Sequence, residues 1–230
     1  MQLPGDARGG FFLTLEGPDG SGKSTQSQQL AARLAAVGYE TVLTREPGGT
    51  ALGEEVRQIL LHSSTLDPAP STDALLFNAA RAQLVARVIR PALARGAVVV
   101  CDRYADSTLA YQGYGAGQPL DELRTLGEFA TGGLVPDLTI LYDLPVDEGL
   151  GRKAAEANRF EKAVTVEFHQ RVRDGFLAMA AAAPERFVIV DATRPADRLT
   201  DDVMAILRER LPRRILRSGE PKAAAVRMDK

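Results

Sequence analysis

The chain of 230 residues is poor in the residues that form disulfides and metal centres. It has one cysteine, two histidines and no tryptophan. A single cysteine excludes an internal disulfide, and Cys101 ends an apolar run, so a buried small side chain is expected there rather than a nucleophile. His62 and His169 lie far apart without the spacing of zinc ligands, so we expect solvated or capping roles for them.

Long apolar runs and a strong charge of one sign are also missing. No stretch reaches the roughly 18 apolar residues of a membrane span. The formal net charge of −2 gives no broad attraction to nucleic acid or to an anionic membrane. The first residues lack the apolar region and cleavage site of a secretion signal. We therefore expect a cytoplasmic protein that binds neither nucleic acid nor membrane, with one substantial α/β domain or two small ones.

The strongest motif is GPDGSGKST at residues 17–25, which fits the phosphate-binding pattern G-x-x-x-x-G-K-[ST]. It follows the apolar run 11–15 and precedes a helical pattern. That order aims backbone N–H groups and the positive end of a helix dipole at one anion. Lys23 is expected to reach the β- and γ-phosphates of a nucleotide, and Ser24 is expected to bind Mg²⁺.

Short apolar runs alternate with longer helical patterns along the chain, which predicts a doubly wound, mostly parallel sheet. The predicted strands are Phe11–Glu16, Glu40–Thr44, Ala97–Asp102, Leu138–Asp143 and Arg186–Asp191. The predicted helices are 23–37, one capped by Thr50, a stretch from 71 to 96 kinked or split by Pro91, 120–130, 163–182 and 196–211. Residues 1–10 are expected to be a flexible leader. The basic tail, 212–230, is interpreted as a disordered end in preference to a nucleic-acid contact.

Three clusters with chemical potential follow predicted strands. The segment TREPGGT at 44–50 places Arg45 beside Glu46 in a rigid turn. This turn either holds a cation at the sheet edge or is an ion-paired turn without a ligand. Asp102 resembles a Walker-B carboxylate near Ser24, and Arg103 beside it either binds a phosphate or forms a salt bridge at the strand end. The charged segment 151–160 is either a mobile lid or an ordinary exposed helix end.

The predicted long helix adds one more pair. Phe77 and Arg81 lie at i and i+4 on one helical face. An aromatic ring next to an arginine can stack on a base while the guanidinium binds a carbonyl edge. Alone, this pair is more often core packing plus a surface charge.

Taken together, the motifs GPDGSGKST, TREPGGT, LLFNAARAQL, DRYADSTLAYQG and PDLTILYDL resemble the thymidylate kinase family over nearly all of 11–211. The resemblance implies a three-layer P-loop NTPase fold, with a five-stranded, mostly parallel sheet, helices on both faces and a lid at about 150–162. It also implies a single kinase domain over 11–211. The implied activity is phosphoryl transfer from ATP to dTMP, giving dTDP for dTTP synthesis, with Mg²⁺ and usually as a homodimer.

The resemblance also assigns residues by position. For ATP it implies Gly17, Pro18, Asp19, Gly20, Ser21, Gly22, Lys23, Ser24, Thr25, Asp191 and Ala192. For dTMP it implies Asp19, Arg45, Glu46, Phe77, Arg81, Arg103, Ser107, Thr108, Tyr111 and Gln112. For the metal it implies Ser24 and Asp102, and for catalysis Lys23, Arg103, Arg152 and Arg159.

Particular roles follow for several of these residues. Asp19 is expected near the deoxyribose 3′-hydroxyl, and Arg45 and Arg103 on the acceptor phosphate. Phe77 is expected to stack on thymine. Arg81, Thr108 and Gln112 are expected to bind the polar edge of the base. Tyr111 is expected to crowd the 2′ position of the sugar. Some relatives carry an arginine at the position of Gly20. Here the basic residues are in the lid, with Arg152, Lys153 and Arg159 as candidates.

Other activities are weaker interpretations. A different nucleoside monophosphate kinase is the nearest alternative, but adenylate-type enzymes usually carry Gly-Thr after the loop lysine, where this chain has Ser24-Thr25. A guanine-nucleotide switch needs an Asn-Lys-x-Asp motif, which the sequence does not contain. A protein that only binds nucleotide is disfavoured because Lys23, Ser24, Asp102 and Arg103 are all present.

Overall fold

A computed structural model describes residues 9–62, 66, 68–153 and 165–212. A single sheet contains five strands in the order β2-β3-β1-β4-β5, and every pair of neighbours is parallel. The strands are β1 (Phe11–Glu16), β2 (Thr41–Arg45), β3 (Val98–Asp102), β4 (Leu138–Asp143) and β5 (Phe187–Asp191). The predicted parallel sheet is confirmed, with each strand within one residue of its expected bounds.

Helices connect successive strands. In the described part of the chain they are α1 (Lys23–Ala36), α2 (Ala51–Arg57), α3 (Pro70–Leu84), α4 (Arg90–Ala94), α5 (Ala105–Thr108), α6 (Leu120–Thr131), α7 (Val146–Lys153), α8 (Val166–Ala182) and α9 (Ala196–Arg210). Turns of π-helix extend α2, α3 and α5 over Gln58–His62, Val85–Ile89 and Leu109–Gly115.

Helix ends follow local chemistry. The Thr50 hydroxyl accepts a hydrogen bond from the backbone N–H of Gly53 at 3.0 Å, which confirms it as the cap of α2. Gly132 ends α6 in the left-handed conformation, with φ of 58°. The predicted long helix is continuous from Pro70 to Ala94, because α3 passes through the π-helical turn directly into α4, so Pro91 does not split it. Pro91 lies in the first turn of α4, just after the π-helical turn.

The strands are covered on both faces. Side chains of β1 point alternately into two cores, so every residue of this strand is buried. One core contains Leu13 and Leu15 together with leucines of α1 and α9. The opposite core contains Phe12 together with residues of α3 and α4. Gly10, assigned above to the leader, donates its N–H to the Leu93 carbonyl at 2.9 Å and so packs with the domain.

Since all strands run the same way, their carboxyl ends meet at one edge of the sheet. β1 lies in the centre, with β3 on one side and β4 on the other. Ligands of open α/β sheets bind outside the carboxyl ends at such a point, where connections leave in opposite directions. None of the helices within the described ranges is both long and apolar enough to cross a bilayer.

Candidate active site

The phosphate loop, residues 17–22, joins β1 to α1 and adopts a backbone that only glycine accepts easily. Gly17 and Gly20 have φ of 143° and 78°. A Cβ on Gly20 would lie 2.3 Å from the Gly149 carbonyl oxygen, because the backbone of α7 packs directly on the loop. This contact gives a physical reason for the absence of an arginine at position 20 in this chain.

The Lys23 side chain is buried beneath the loop. Its ammonium donates to the Pro18 carbonyl at 2.7 Å and to the Ser21 hydroxyl at 3.0 Å. Burial, followed by the positive charge of Arg103, lowers the pKa of Lys23 to about 7. The charge of Lys23 therefore depends on what occupies the loop.

We expect nucleotide binding to this loop to take up a proton. Near pH 8 much of Lys23 is neutral in the free protein, since its pKa is about 7, and a triphosphate favours the ammonium. Uptake should approach about one proton per MgATP, so affinity falls as the pH rises through 7. Isothermal titration calorimetry in buffers of different ionisation enthalpy measures this number. Lys23→Arg, which stays charged, should show no uptake. Absence of uptake in the unaltered protein would contradict the prediction.

Ser24 and Asp102 lie together at the start of α1 and the end of β3. The Ser24 hydroxyl donates to a carboxylate oxygen of Asp102 at 2.6 Å. Mg²⁺ in phosphate-binding sites takes few protein oxygens and keeps phosphate and water ligands. A hydroxyl and a carboxylate in contact beside the phosphate loop fit that donor set.

Arg103 crosses the space between the phosphate loop and α5. Its guanidinium donates to Asp19 at 2.5 Å and to the Gly17 carbonyl at 3.3 Å. On the other side it donates to the Ser107 hydroxyl at 3.1 Å and the Tyr111 hydroxyl at 3.2 Å. Burial alone would lower the pKa of Arg103, but the surrounding Tyr111, Asp19 and other acidic groups raise it overall. A permanent cation thus links the loop to the neighbouring predicted acceptor residues.

Arg81 is deeply buried in an ion pair. Its side chain is 2% exposed and lies 2.8 Å from a carboxylate oxygen of Glu46. It also donates to the Asn78 side chain, the Tyr104 carbonyl and the Thr108 hydroxyl. The predicted base-reading residues Arg81 and Thr108 are therefore in direct contact. Phe77 packs one turn earlier on α3, against a small core of α2.

Arg45 lies at the end of β2, as predicted for a cation at the sheet edge. Its guanidinium donates to the Glu54 carboxylate at 3.1 Å, while its buried Nε has no hydrogen-bond partner within the described residues. One oxygen of Glu46 also lacks a partner there. Burial, opposed by Arg81, raises the pKa of Glu46. The segment TREPGGT therefore forms an ion-paired turn, and binding of a ligand by Arg45 stays a prediction.

A cavity of about 170 Å³ opens beside the phosphate loop and the π-helical turn that follows α5. Asp19, Tyr111 and Gln112 line it, so three predicted acceptor residues share one space. The Tyr111 ring lies beneath the Arg103 guanidinium, 5.0 Å from centre to centre. The cavity also receives residues of α3 and α8, which frame it from opposite sides.

Comparison with known proteins shows the family of this chain. A family model described as thymidylate kinase matches residues 15–203. A thymidylate kinase of Deinococcus radiodurans is 52% identical over 207 residues, covering 87% of this chain and 98% of the relative. One of Pseudomonas fluorescens strain Pf-5 is 52% identical over 206 residues, covering 89% and 98%. The chain belongs to the thymidylate kinase family. A crystal structure of the Ehrlichia chaffeensis thymidylate kinase superposes with a TM-score of 0.70, at 35% identity and with coverage of 86% and 98%.

The P-loop NTPase fold expected of a thymidylate kinase is confirmed by this structural match. The assignment of residues to the nucleotides stays a prediction. Arg152, on α7, donates to the carbonyls of Gly20 and Ala192 at 3.5 and 3.1 Å. It thereby joins the lid side of the molecule to the phosphate loop and to the predicted adenine segment. Arg159 lies outside the described residues, as do most of the predicted lid, the Lys153 side chain and nearly all of the basic tail.

Sequence reasoning missed three residues of this thymidylate kinase site. Arg57 donates to the Pro47 carbonyl, and burial followed by the charge of Arg45 lowers its pKa. Glu16 is fully buried at the end of β1. His169 was expected to be solvated or capping, which is wrong. It is 4% exposed, lines the cavity, and its Nε2 has no partner within the described residues. The only available signal was for Glu16, an acid at the end of an apolar run that forms a buried strand.

Proposed function

We propose that this chain transfers the γ-phosphoryl group of ATP to dTMP, giving dTDP, in a Mg²⁺-dependent reaction. Family membership makes it a nucleoside monophosphate kinase. The observation that carries the detailed proposal is the position of Arg103, which contacts both the phosphate loop and the predicted acceptor residues. A cation shared by two phosphate sites is what transfer between two anions requires.

The donor is assigned to the phosphate loop. Backbone N–H groups of residues 17–25 and the start of α1 surround its phosphates, and Lys23 supplies charge to the β- and γ-phosphates. Ser24 and Asp102 hold Mg²⁺, which neutralises charge on the transferring phosphoryl group when bound. Asp191 and Ala192, at the end of β5, lie beside adenine. Their link to the loop through Arg152 supports this placement.

The acceptor is assigned to the neighbouring cavity and the arginines around it. Arg45 and Arg103 bind the phosphate of dTMP, and the half-buried Arg57 adds charge beside them. Phe77 stacks on thymine, while Arg81 and Thr108 bind its polar edge. The remaining residues assigned to dTMP contact its sugar or its base: Asp19, Glu46, Ser107, Tyr111 and Gln112.

Catalysis in this site consists of positioning and charge neutralisation. The acceptor phosphate of dTMP is already an anion, so the reaction needs little general-base help. The difficulty is to bring two charged phosphates into line. Lys23 and Arg103 neutralise them from below, and Arg152 and Arg159 are the further cations assigned to catalysis, of which Arg159 lies outside the described residues.

We also propose a cytoplasmic homodimer. Three helices that pack side by side, α2, α3 and α6, carry large apolar side chains that are exposed in the single chain. These side chains are Leu52, Leu75 and Phe129, at 51%, 56% and 87% exposure. A dimer interface covers such a patch. Light scattering after gel filtration should give twice the mass of the chain, and a single-chain mass would contradict the dimer.

An acceptor panel tests the proposed reaction. With ATP and Mg²⁺, kcat/KM measured by ADP release should be at least about 100-fold higher with dTMP than with CMP, UMP or AMP. CMP and AMP present a different polar edge and leave buried polar groups of the base site unpaired, while the ribose of UMP places a 2′-hydroxyl against Tyr111. Equal or faster use of another monophosphate would identify the alternative, a different nucleoside monophosphate kinase. Binding of dTMP without any ADP release would indicate a protein that only binds.

A further inference from the structure

Glu16 is a buried carboxylate with an unusual set of partners. It ends β1 directly before the phosphate loop and is 0% exposed. One of its oxygens accepts the backbone N–H of Tyr104 at 2.7 Å and that of Ser107 at 3.3 Å. The other oxygen accepts the Ser107 hydroxyl at 2.6 Å. Burying a carboxylate costs desolvation free energy that packing alone does not offset. The three hydrogen bonds therefore hold Glu16 in place.

The turn that Glu16 holds carries Arg103 in a strained conformation. Arg103 has φ of 71°, and it is the only residue other than glycine with positive φ in the described ranges. For a residue with a Cβ, this conformation is unfavourable and persists only when the surroundings impose it. The end of β1 imposes it here. The Leu15 carbonyl accepts the N–H of Arg103 at 3.0 Å, and Glu16 accepts the next N–H, that of Tyr104.

Glu16 also orients the Ser107 hydroxyl. A hydroxyl has one proton, and an ionised carboxylate can only accept. Because the Ser107 proton points to Glu16, its lone pairs face the Arg103 guanidinium, which donates to it at 3.1 Å. A continuous chain of bonds therefore runs from Glu16 through Ser107 to Arg103.

We propose that Glu16 is a positioning residue for phosphoryl transfer, which fixes both the backbone turn and the guanidinium of Arg103. This inference rests on the proposed function, in which Arg103 binds the acceptor phosphate. Glu16 touches neither nucleotide and acts only through Tyr104, Ser107 and Arg103.

The charges around Glu16 give the proposal a measurable signature. Burial, and then the negative charge of Asp106, raise the pKa of Glu16 to about 7, while Arg103 opposes this rise. Asp106 is itself paired with Arg186, and Lys23 and Arg81 are further charged groups in the surroundings. A protonated Glu16 donates from one oxygen and no longer fixes the Ser107 proton. The positioning effect therefore weakens as the pH falls through about 7.

The test compares the unaltered enzyme with Glu16→Gln. The amide keeps the shape of the side chain but cannot accept from all three donors. With dTMP saturating at pH 8.5, we expect kcat to fall about 10- to 100-fold, since bonds to a charged acceptor are lost. The KM for ATP should change little, because the phosphate loop keeps its own contacts. The ratio of the two kcat values should then shrink towards one as the pH falls below 7, because Glu16 is protonated there. Titration of the substrates cancels in this ratio.

A second variant and a control keep the outcome decisive. Ser107→Ala removes the link to the guanidinium together with the contact assigned to Ser107 on dTMP, and we expect a smaller loss of kcat that adds less than fully to that of Glu16→Gln. Glu40→Gln, which alters a carboxylate paired with Arg95 away from the site, should leave kcat unchanged. Thermal melts establish that each variant is folded. A constant ratio across pH, or full activity of Glu16→Gln, overturns the positioning role. No dTMP turnover by the unaltered enzyme would instead contradict the proposed function.

Discussion

Replacing Arg103 with alanine is expected to lower kcat for dTMP phosphorylation by about 10³-fold or more. Its guanidinium lies between the phosphate loop and the acceptor residues, so both phosphates lose the same cation. The loss should be in kcat more than in the KM for ATP, because the charge is needed most when the phosphates approach in line. Steady-state kinetics by coupled ADP release measures both constants.

Two further variants sharpen this prediction. Arg103→Lys keeps the charge but cannot bridge Asp19, Gly17 and Tyr111, so it should recover only part of the rate. Arg95→Ala removes a more exposed arginine from an ion pair away from the site and should leave kcat unchanged. A fall of less than 10-fold in Arg103→Ala would show that this side chain does not bridge the phosphates.

Replacing Arg81 with alanine should destabilise the fold and weaken dTMP binding together. The change leaves Glu46 buried without its cation, which typically costs about 3–5 kcal/mol. Without Arg81, burial raises the pKa of Glu46 further. A carboxyl whose folded pKa lies above its unfolded value adds stability at low pH and loses it as the pH rises. The deficit should therefore grow between pH 5.5 and 8, measured by chemical denaturation at both pH values.

The structural and binding roles of Arg81 can be separated. The double variant Arg81→Leu with Glu46→Leu removes both charges, so most of the lost stability should return. Its dTMP affinity should not return, because the groups that bind thymine are still missing. Arg124→Ala breaks an exposed pair with Asp121 and should change stability very little. Recovery of dTMP affinity in the double variant would contradict the assignment of Arg81 to the base.

The sequence was informative wherever function depends on the ends of strands. Parallel strands place their carboxyl ends at one edge, so residues following each apolar run could be grouped without knowing the fold in detail. Arg45, Asp102 and Arg103 lie there as expected. The helix caps at Thr50 and Gly132 could also be predicted, because capping is a local interaction between near neighbours.

Other features depend on packing that no local pattern contains. The i, i+4 spacing of Phe77 and Arg81 indicates a shared face but not how deep that face lies. Arg81 can be buried because it is paired with Glu46, which is 35 residues away in the sequence. His169 is buried because α8 packs against the π-helical turn after α5, and this turn was not predictable from composition. Glu16 was visible as an acid in an apolar run, but its partners lie about 90 residues further on.

The central claim is that two phosphate sites face each other across one sheet edge and share Arg103. A crystal structure with dTMP, Mg²⁺ and an ATP analogue that cannot be cleaved tests it most directly. The account predicts the Arg103 guanidinium about 2.7–2.9 Å from an oxygen of the dTMP phosphate, with the γ-phosphate of the analogue in line with that phosphate. An Arg103 that remains on Asp19, with water between it and the phosphates of both nucleotides, would contradict it.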